Sequence, residues 1–266
     1  MPQPIDFEIA VKGPNGYSDG RNRRSPGECR LRAKEFLSSR NIDFDSVNVH
    51  DDADGMAALR TLGARSVPVL SRGSNFIFAQ SLRQVAEFLG LDDIGGPALT
   101  PAELIARLDL VLAAAERHIR QFPEASLGDI LPGRNRSYRE LLHHIFRIAE
   151  AFLETVEGGT LTHESLVAPP GPKQQDVAGL ASYGRGIRSR VAAWGEGIAG
   201  RDRQARLPTY YGEQPLHEVL ERTTWHAAQH VRQTMMVLEN LGIAPDEPLT
   251  PADLAGLPLP DQVWDG

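Results

Sequence analysis

Three histidines carry the most chemistry in this 266-residue sequence. His226 and His230 stand four residues apart in a segment where Leu216, Val219, Leu220, Thr223, Thr234, Val237, Leu238 and Leu241 follow the three-and-four spacing of a buried helical face. Both imidazoles then leave one side of the helix, about 6 Å apart along its axis. At that spacing they can share one ion, each offering a neutral ring nitrogen at about 2.0–2.1 Å. A third ligand comes from the pair His143 and His144, and helical phase decides between them. His144 falls with Leu141, Ile145, Ile148 and Phe152, whereas His143 falls with Arg147, Glu150 and Glu154, so His144 faces inward. A single such histidine reads as an ordinary core or surface residue. Three that converge would each cost about 1–3 kcal/mol if buried without a partner, and a shared divalent metal removes that cost. Three protein ligands also leave positions open for water or substrate, as a catalytic metal requires. Imidazole suits zinc, nickel, iron and manganese alike, so the ion is not chosen by its ligands. His217, nine residues before His226, falls on the opposite face and is expected in solvent.

These histidines need helices to hold them, and the second part of the chain supplies four, at about 100–121, 137–157, 176–197 and 215–241. Pro- and Gly-rich loops join them, and no strand pattern competes strongly. Thr100-Pro101-Ala102-Glu103 opens the first with a capping box and a proline in its first position. The tail from Ala244 is expected to wrap over this bundle through Leu257, Leu259, Val263 and Trp264. Gly95-Gly96-Pro97 separates the bundle, residues 98–266, from a first domain of residues 1–95.

The first domain reads βαβαββα. Strands are expected at Ile5–Val11, Phe44–Val49, Val67–Leu70 and Phe76–Phe78. The helices run from the Ser25-Pro26-Gly27-Glu28 box to about Ser39, from Ala53 to Leu62, and from Ser81 to a stop at Gly90. The loop from Gly13 to Arg24 is longer than the usual strand-to-helix connection of about 2–6 residues. Its Arg21, Arg23 and Arg24 could grip a carboxylate or phosphate, or simply be solvated. Cys29 is the only cysteine, which excludes an internal disulfide, a Cys-x-x-Cys redox pair and a cysteine zinc site. It falls in the first turn of a helix, where unpaired amides and the helix dipole favour a thiolate. The alternative is a small residue packed against the sheet.

Net charge is −7, divided into −1 before residue 97 and −6 after it. Neither part offers the basic excess that a phosphate backbone attracts, so nucleic acid is not an expected partner. No apolar run approaches the roughly 20 residues of a membrane span. The first residues have neither a basic start nor a long apolar stretch, and a cytoplasmic location is expected.

Ser137-Tyr138-Arg139-Glu140-Leu141-Leu142-His143-His144-Ile145, Trp225-His226-Ala227-Ala228-Gln229-His230 and the ending Leu257-Pro258-Leu259-Pro260 with Val263-Trp264 together resemble the DinB-like four-helix bundle superfamily, over roughly residues 98–266. The resemblance implies a metal triad at His144, His226 and His230. Members with known roles include metal-dependent transferases of low-molecular-weight thiols, a mycothiol-dependent isomerase and the amino-terminal domain of ergothioneine synthases, and such bundles often pair as homodimers. Residues 5–90, with Arg32-Ala33-Lys34-Glu35-Phe36-Leu37 and Ser66-Val67-Pro68, resemble glutaredoxins, which implies a thioredoxin fold. It also implies a cis Pro68 and a Val67 backbone that pairs with the cysteinyl part of a bound thiol. Aligning the glutaredoxin motif puts Ser25 or Gly27, not Cys29, at the nucleophile position. Phe78-Ala79-Gln80-Ser81 stands where a glutathione-binding Gly-Gly and Asp are usual.

The two resemblances together imply a metal-dependent enzyme that activates a low-molecular-weight thiol for transfer of its sulfur to a small electrophile, or for thiol-assisted isomerisation. The first domain would recruit the thiol through Cys29, Val67 and Pro68. Arg222 and Thr223, one turn before His226, could reach the same cavity, with Tyr210 and Tyr211 at its entrance, and Arg222 and Tyr211 are the substrate-binding candidates. The alternatives are one-cysteine thiol–disulfide exchange by the first domain alone and a non-catalytic metal-binding stress-response protein.

Overall fold

A computed structural model of the chain describes residues 8–11, 27–40, 42–49, 52–64, 67–92, 96–131 and 136–264. The chain divides into two compact units, residues 1–96 with 260–266, and residues 97–259.

In the first unit the element order is β1 (Glu8–Val11), α1 (Gly27–Ser38), β2 (Asp45–Asn48), α2 (Ala53–Thr61), β3 (Val69–Arg72), β4 (Asn75–Phe78) and α3 (Leu82–Leu89), the βαβαββα expected from the sequence. The sheet order is β2-β1-β3-β4, with β1 parallel to β2 and antiparallel to β3, and β3 antiparallel to β4. Successive residues of β3 point to opposite faces. Leu70 joins Ala33, Leu37, Ala79 and Val85 beside α1 and α3, whereas Val69 joins Val49, Leu59 and Val67 beside α2. As expected, Ser81 caps α3 and Gly90 closes it in the left-handed region at φ 69°, and Asp52 caps α2. Ser25 and Pro26, the arginine loop and residues 5–7 of the first expected strand lie outside the described residues.

The second unit holds α4 (Pro101–Ile119), α5 (Tyr138–Val156), α6 (His163–Leu166), α7 (Val177–Gly195), β5 (Arg206–Thr209), β6 (Gly212–Pro215), α8 (Leu216–Asn240) and α9 (Pro251–Leu254). The four expected helices are α4, α5, α7 and α8, each within two residues of its expected ends. Full capping boxes start α4 at Thr100 and α5 at Ser137, and Asp176 caps α7. Both α4 and α5 pack against α7 and against α8. At Gly184 of α7 an added Cβ would stand 2.5 Å from the buried Phe146 ring of α5, so the absent side chain is what lets the two helices approach.

Two features depart from the sequence reading. The segment before α8 was expected to be loop but forms a hairpin, with Leu207 opposite Gln214 and Thr209 opposite Gly212. Strands of four residues that contain Pro208 and Pro215 give little alternation to read. The tail also divides. Its start is tied to α4, where Gln121 Nε2 donates to Ala244 O at 2.8 Å and Arg117 to Glu247 O at 2.9 Å. Leu257 is buried in the helical unit, but from Pro260 the chain belongs to the first unit, where the Asp261 N–H donates to Glu35 Oε1 at 3.0 Å. Val263 and Trp264 are thus grouped with the first unit.

Candidate metal centre

Helix α8 is the longest among the described residues, and most of its first 23 residues are buried, polar ones included. His226 and His230 lie on it with no exposed surface, and His144 of α5 is almost as deeply buried. Helices α5 and α8 pack together, and this contact brings the three rings to one place. Ring centroids are 4.8 Å apart for His144 and His230, 5.0 Å for His226 and His230, and 5.5 Å for His144 and His226. Each ring offers a nitrogen, and the three nitrogens lie within 4.8 Å of one another.

The electrostatics favour the neutral, ligating form of His144. Burial pushes the His144 pKa well below its usual value, and the positive charge of Arg136 and of protonated His230 or His226 would push it the same way. The ring is therefore neutral at physiological pH, the form in which imidazole ligates. Its Nε2 is buried and makes no hydrogen bond among the described residues, which is costly unless something else occupies that lone pair. His230 Nδ1 lies 2.7 Å from Oε1 of the buried Gln233. A donor set of three imidazoles fits a borderline divalent ion such as zinc, nickel, iron or manganese.

Behind this face, α5 carries a second polar layer. His143 falls there with Arg147, Glu150 and Glu154, as phase expected, but the face is not open to solvent, and the His143 ring is buried and stacked on Tyr183 of α7 at 4.9 Å and 13°. Arg147, also buried, donates to Glu150 at 2.6 Å and to Glu154 at 2.8 Å, and its Nε donates to Ser165 O of α6. Tyr183 donates to Glu150 at 2.6 Å. Burial, together with the hydrogen bond and charge of Glu150, holds the Tyr183 hydroxyl protonated. The polar face is thus covered by α6 and α7 and satisfied internally. His217 departs from expectation as well, since it is buried with Nε2 2.8 Å from Leu99 O.

Burial, reinforced by the Arg147 charge and opposed by Glu150, lowers the His143 pKa to about 4 from 6.5. Below pH 6.5 the unfolded chain takes up a proton that the folded chain refuses. Stability is therefore fully present above that pH and falls until about pH 4, by on the order of 3 kcal/mol from this residue. His118, buried beside Asp246 O, has its pKa lowered too, chiefly by burial, and adds to the slope. We expect chemical denaturation to show a stability loss between pH 6.5 and 4 that is clearly smaller in His143→Gln. Equal slopes in the two proteins would contradict this assignment.

The other candidates fall in several places. Arg222 sits one turn before His226, buried, donating to the Tyr210 hydroxyl at 2.9 Å with its guanidinium 5.3 Å from the centre of the Tyr211 ring. The turn of the β5–β6 hairpin thus holds Arg222 at the N-terminal end of the histidine stripe. Thr223 donates to Val219 O at 2.8 Å. In the first unit the Val67–Pro68 peptide is cis, both residues are buried, and Pro68 O accepts from the Ala79 N–H at 2.9 Å. Cys29 lies in the first turn of α1, and its side chain is outside the described residues. Gln233 and Arg136 were not singled out from the sequence, and the signal for Gln233 was a polar amide recurring on an otherwise buried helix.

Residues 107–234, which contain all three histidines, match the DinB superfamily, and residues 29–77, which run from Cys29 past Pro68, match Glutaredoxin. No curated protein matches the chain.

Proposed function

Because this chain joins a DinB-like domain to a glutaredoxin-like domain, we propose that it is a metal-dependent enzyme acting on a low-molecular-weight thiol and a small electrophile. The observation that carries this reading is the convergence of His144, His226 and His230, buried and within 4.8 Å of one another, inside the DinB match. A divalent ion held there lowers the pKa of a thiol and so supplies a sulfur nucleophile at neutral pH. The three buried rings would hold the ion, and burial, which pushes the His144 pKa well below its usual value, favours the neutral form that ligates. The glutaredoxin-like domain recruits the thiol, with cis Pro68, the Val67 backbone and Cys29 as the recognising elements. Arg222 and Tyr211 receive the electrophile. In the transfer reaction a sulfur–carbon bond forms, the leaving group departs with its bonding pair, and the thiol proton passes to solvent. The protein works in the cytoplasm, without nucleic acid or membrane, and as a homodimer.

The test is turnover by the full chain loaded with zinc, nickel, iron or manganese in turn, with cysteine or glutathione and 1-chloro-2,4-dinitrobenzene. The expected result is metal-dependent thioether formation that chelation abolishes and His230→Ala lacks. Equal rates with and without metal would contradict the reading. A second reading, thiol–disulfide exchange by the first domain, is favoured by the glutaredoxin match, which runs from Cys29 past Pro68. It predicts disulfide reduction that Cys29→Ser abolishes while metal content stays unchanged.

A further inference from the structure

Two ligating positions of α8 share a local pattern, since His226 is followed three residues later by Gln229 and His230 by Gln233. Residues three apart on a helix are neighbours, so either amide is placed to meet the ring before it. Both amides are buried, but they are used differently. The Gln229 carbonyl oxygen accepts from Arg232 at 2.8 Å, whereas the Gln233 carbonyl oxygen lies 2.7 Å from His230 Nδ1.

A carbonyl oxygen can only accept. Nδ1 of His230 must therefore carry the proton, and in a neutral ring that leaves the lone pair on Nε2. The opposite tautomer would put a proton on Nε2, the ring nitrogen that Gln233 does not engage, and block it as a ligand. Because the contact is buried, water does not compete for it and the carbonyl dipole acts at low dielectric. Resting on the metal-centre reading above, we propose that Gln233 is a positioning residue that fixes His230 in the Nδ1–H tautomer and in the ring orientation that points Nε2 at the metal. Supporting partners of this kind are worth roughly 10–100-fold in metal affinity when they are removed.

The test uses the full chain with Gln233→Leu, which keeps the volume and loses the acceptor, and Gln233→Glu, which keeps the acceptor. The first readout is the ¹⁵N chemical shift pattern of His230 in metal-free protein, and the second is Co(II) affinity by chelator competition. The proposal expects the Nδ1–H tautomer in wild type and in Gln233→Glu. It expects the tautomer to be released, and Co(II) to bind about 10–100-fold more weakly, in Gln233→Leu, with the helical circular dichroism of all three alike. An Nε2–H ring in wild type would overturn it, as would a Gln233→Leu affinity within twofold of wild type. If wild type shows the Nδ1–H ring but binds no Co(II), the metal reading falls and the tautomer assignment stands.

Discussion

Replacing His230 by alanine is expected to remove bound divalent metal from the protein, from about one ion per chain to near none, while the helical unit stays folded. The reason lies in the number of ligands. Three imidazoles converge from two helices, and loss of one leaves two, fewer than the three protein ligands that hold a catalytic zinc. A ligand should cost more than the roughly 10–100-fold that a supporting partner costs. Folding should survive, because the substitution also removes a buried polar ring, whose burial without metal is itself unfavourable. His144→Ala and His226→Ala should behave alike. His143→Gln is the contrasting control, since His143 stacks on Tyr183 on the other side of α5 and should leave metal content unchanged. Elemental analysis of proteins purified without chelator reads all four. Equal metal in wild type and His230→Ala would remove the triad from the account.

The second large effect is on stability. Arg147→Leu is expected to destabilise the helical unit by about 2–3 kcal/mol, read by denaturant unfolding at pH 7. Arg147 is buried and joins Glu150, Glu154 and the Ser165 carbonyl. Burial alone would lower its pKa, but its bonds to Glu154 and Glu150 outweigh that and hold it charged. Removing one partner of a buried pair costs about 3–5 kcal/mol, because the other charge is left without compensation. The value here is smaller because Glu154 is 45 % exposed and Glu150 is 22 % exposed, where water replaces part of what is lost. Glu150 also keeps Tyr183 and Arg190. Lysine cannot reproduce the forked contacts, so Arg147→Lys should recover only part of the loss. A change below about 0.5 kcal/mol would show that the layer between α5 and α7 carries little energy.

Helical phase reached far into this molecule. The stripe through Leu141, Ile145, Ile148 and Phe152 chose His144 over its neighbour, and the structure places His144, not His143, against His226 and His230. The capping box read at Thr100 opens α4, and Ser137 and Asp176 cap α5 and α7 in the same way, because such side chains satisfy the first amides of a helix. Phase fails where a second layer covers a polar face. A run such as His143, Arg147, Glu150 and Glu154 looks the same in solvent as it does when Tyr183 and Ser165 enclose it, since its partners come from distant segments. His217 repeats the lesson through the Leu99 carbonyl. The hairpin before α8 was hidden by its brevity and its prolines. Gln233 was hidden because an amide within a buried stripe has no meaning until the ring it supports is known.

Anomalous diffraction from a crystal of the metal-loaded full chain shows at once whether His144, His226 and His230 hold one divalent ion. The expected result is a single peak about 2.0–2.1 Å from one nitrogen of each of the three rings, with His230 coordinating through Nε2. A peak at other residues, or three histidines bonded only to protein groups in a crystal grown with excess metal, would contradict it.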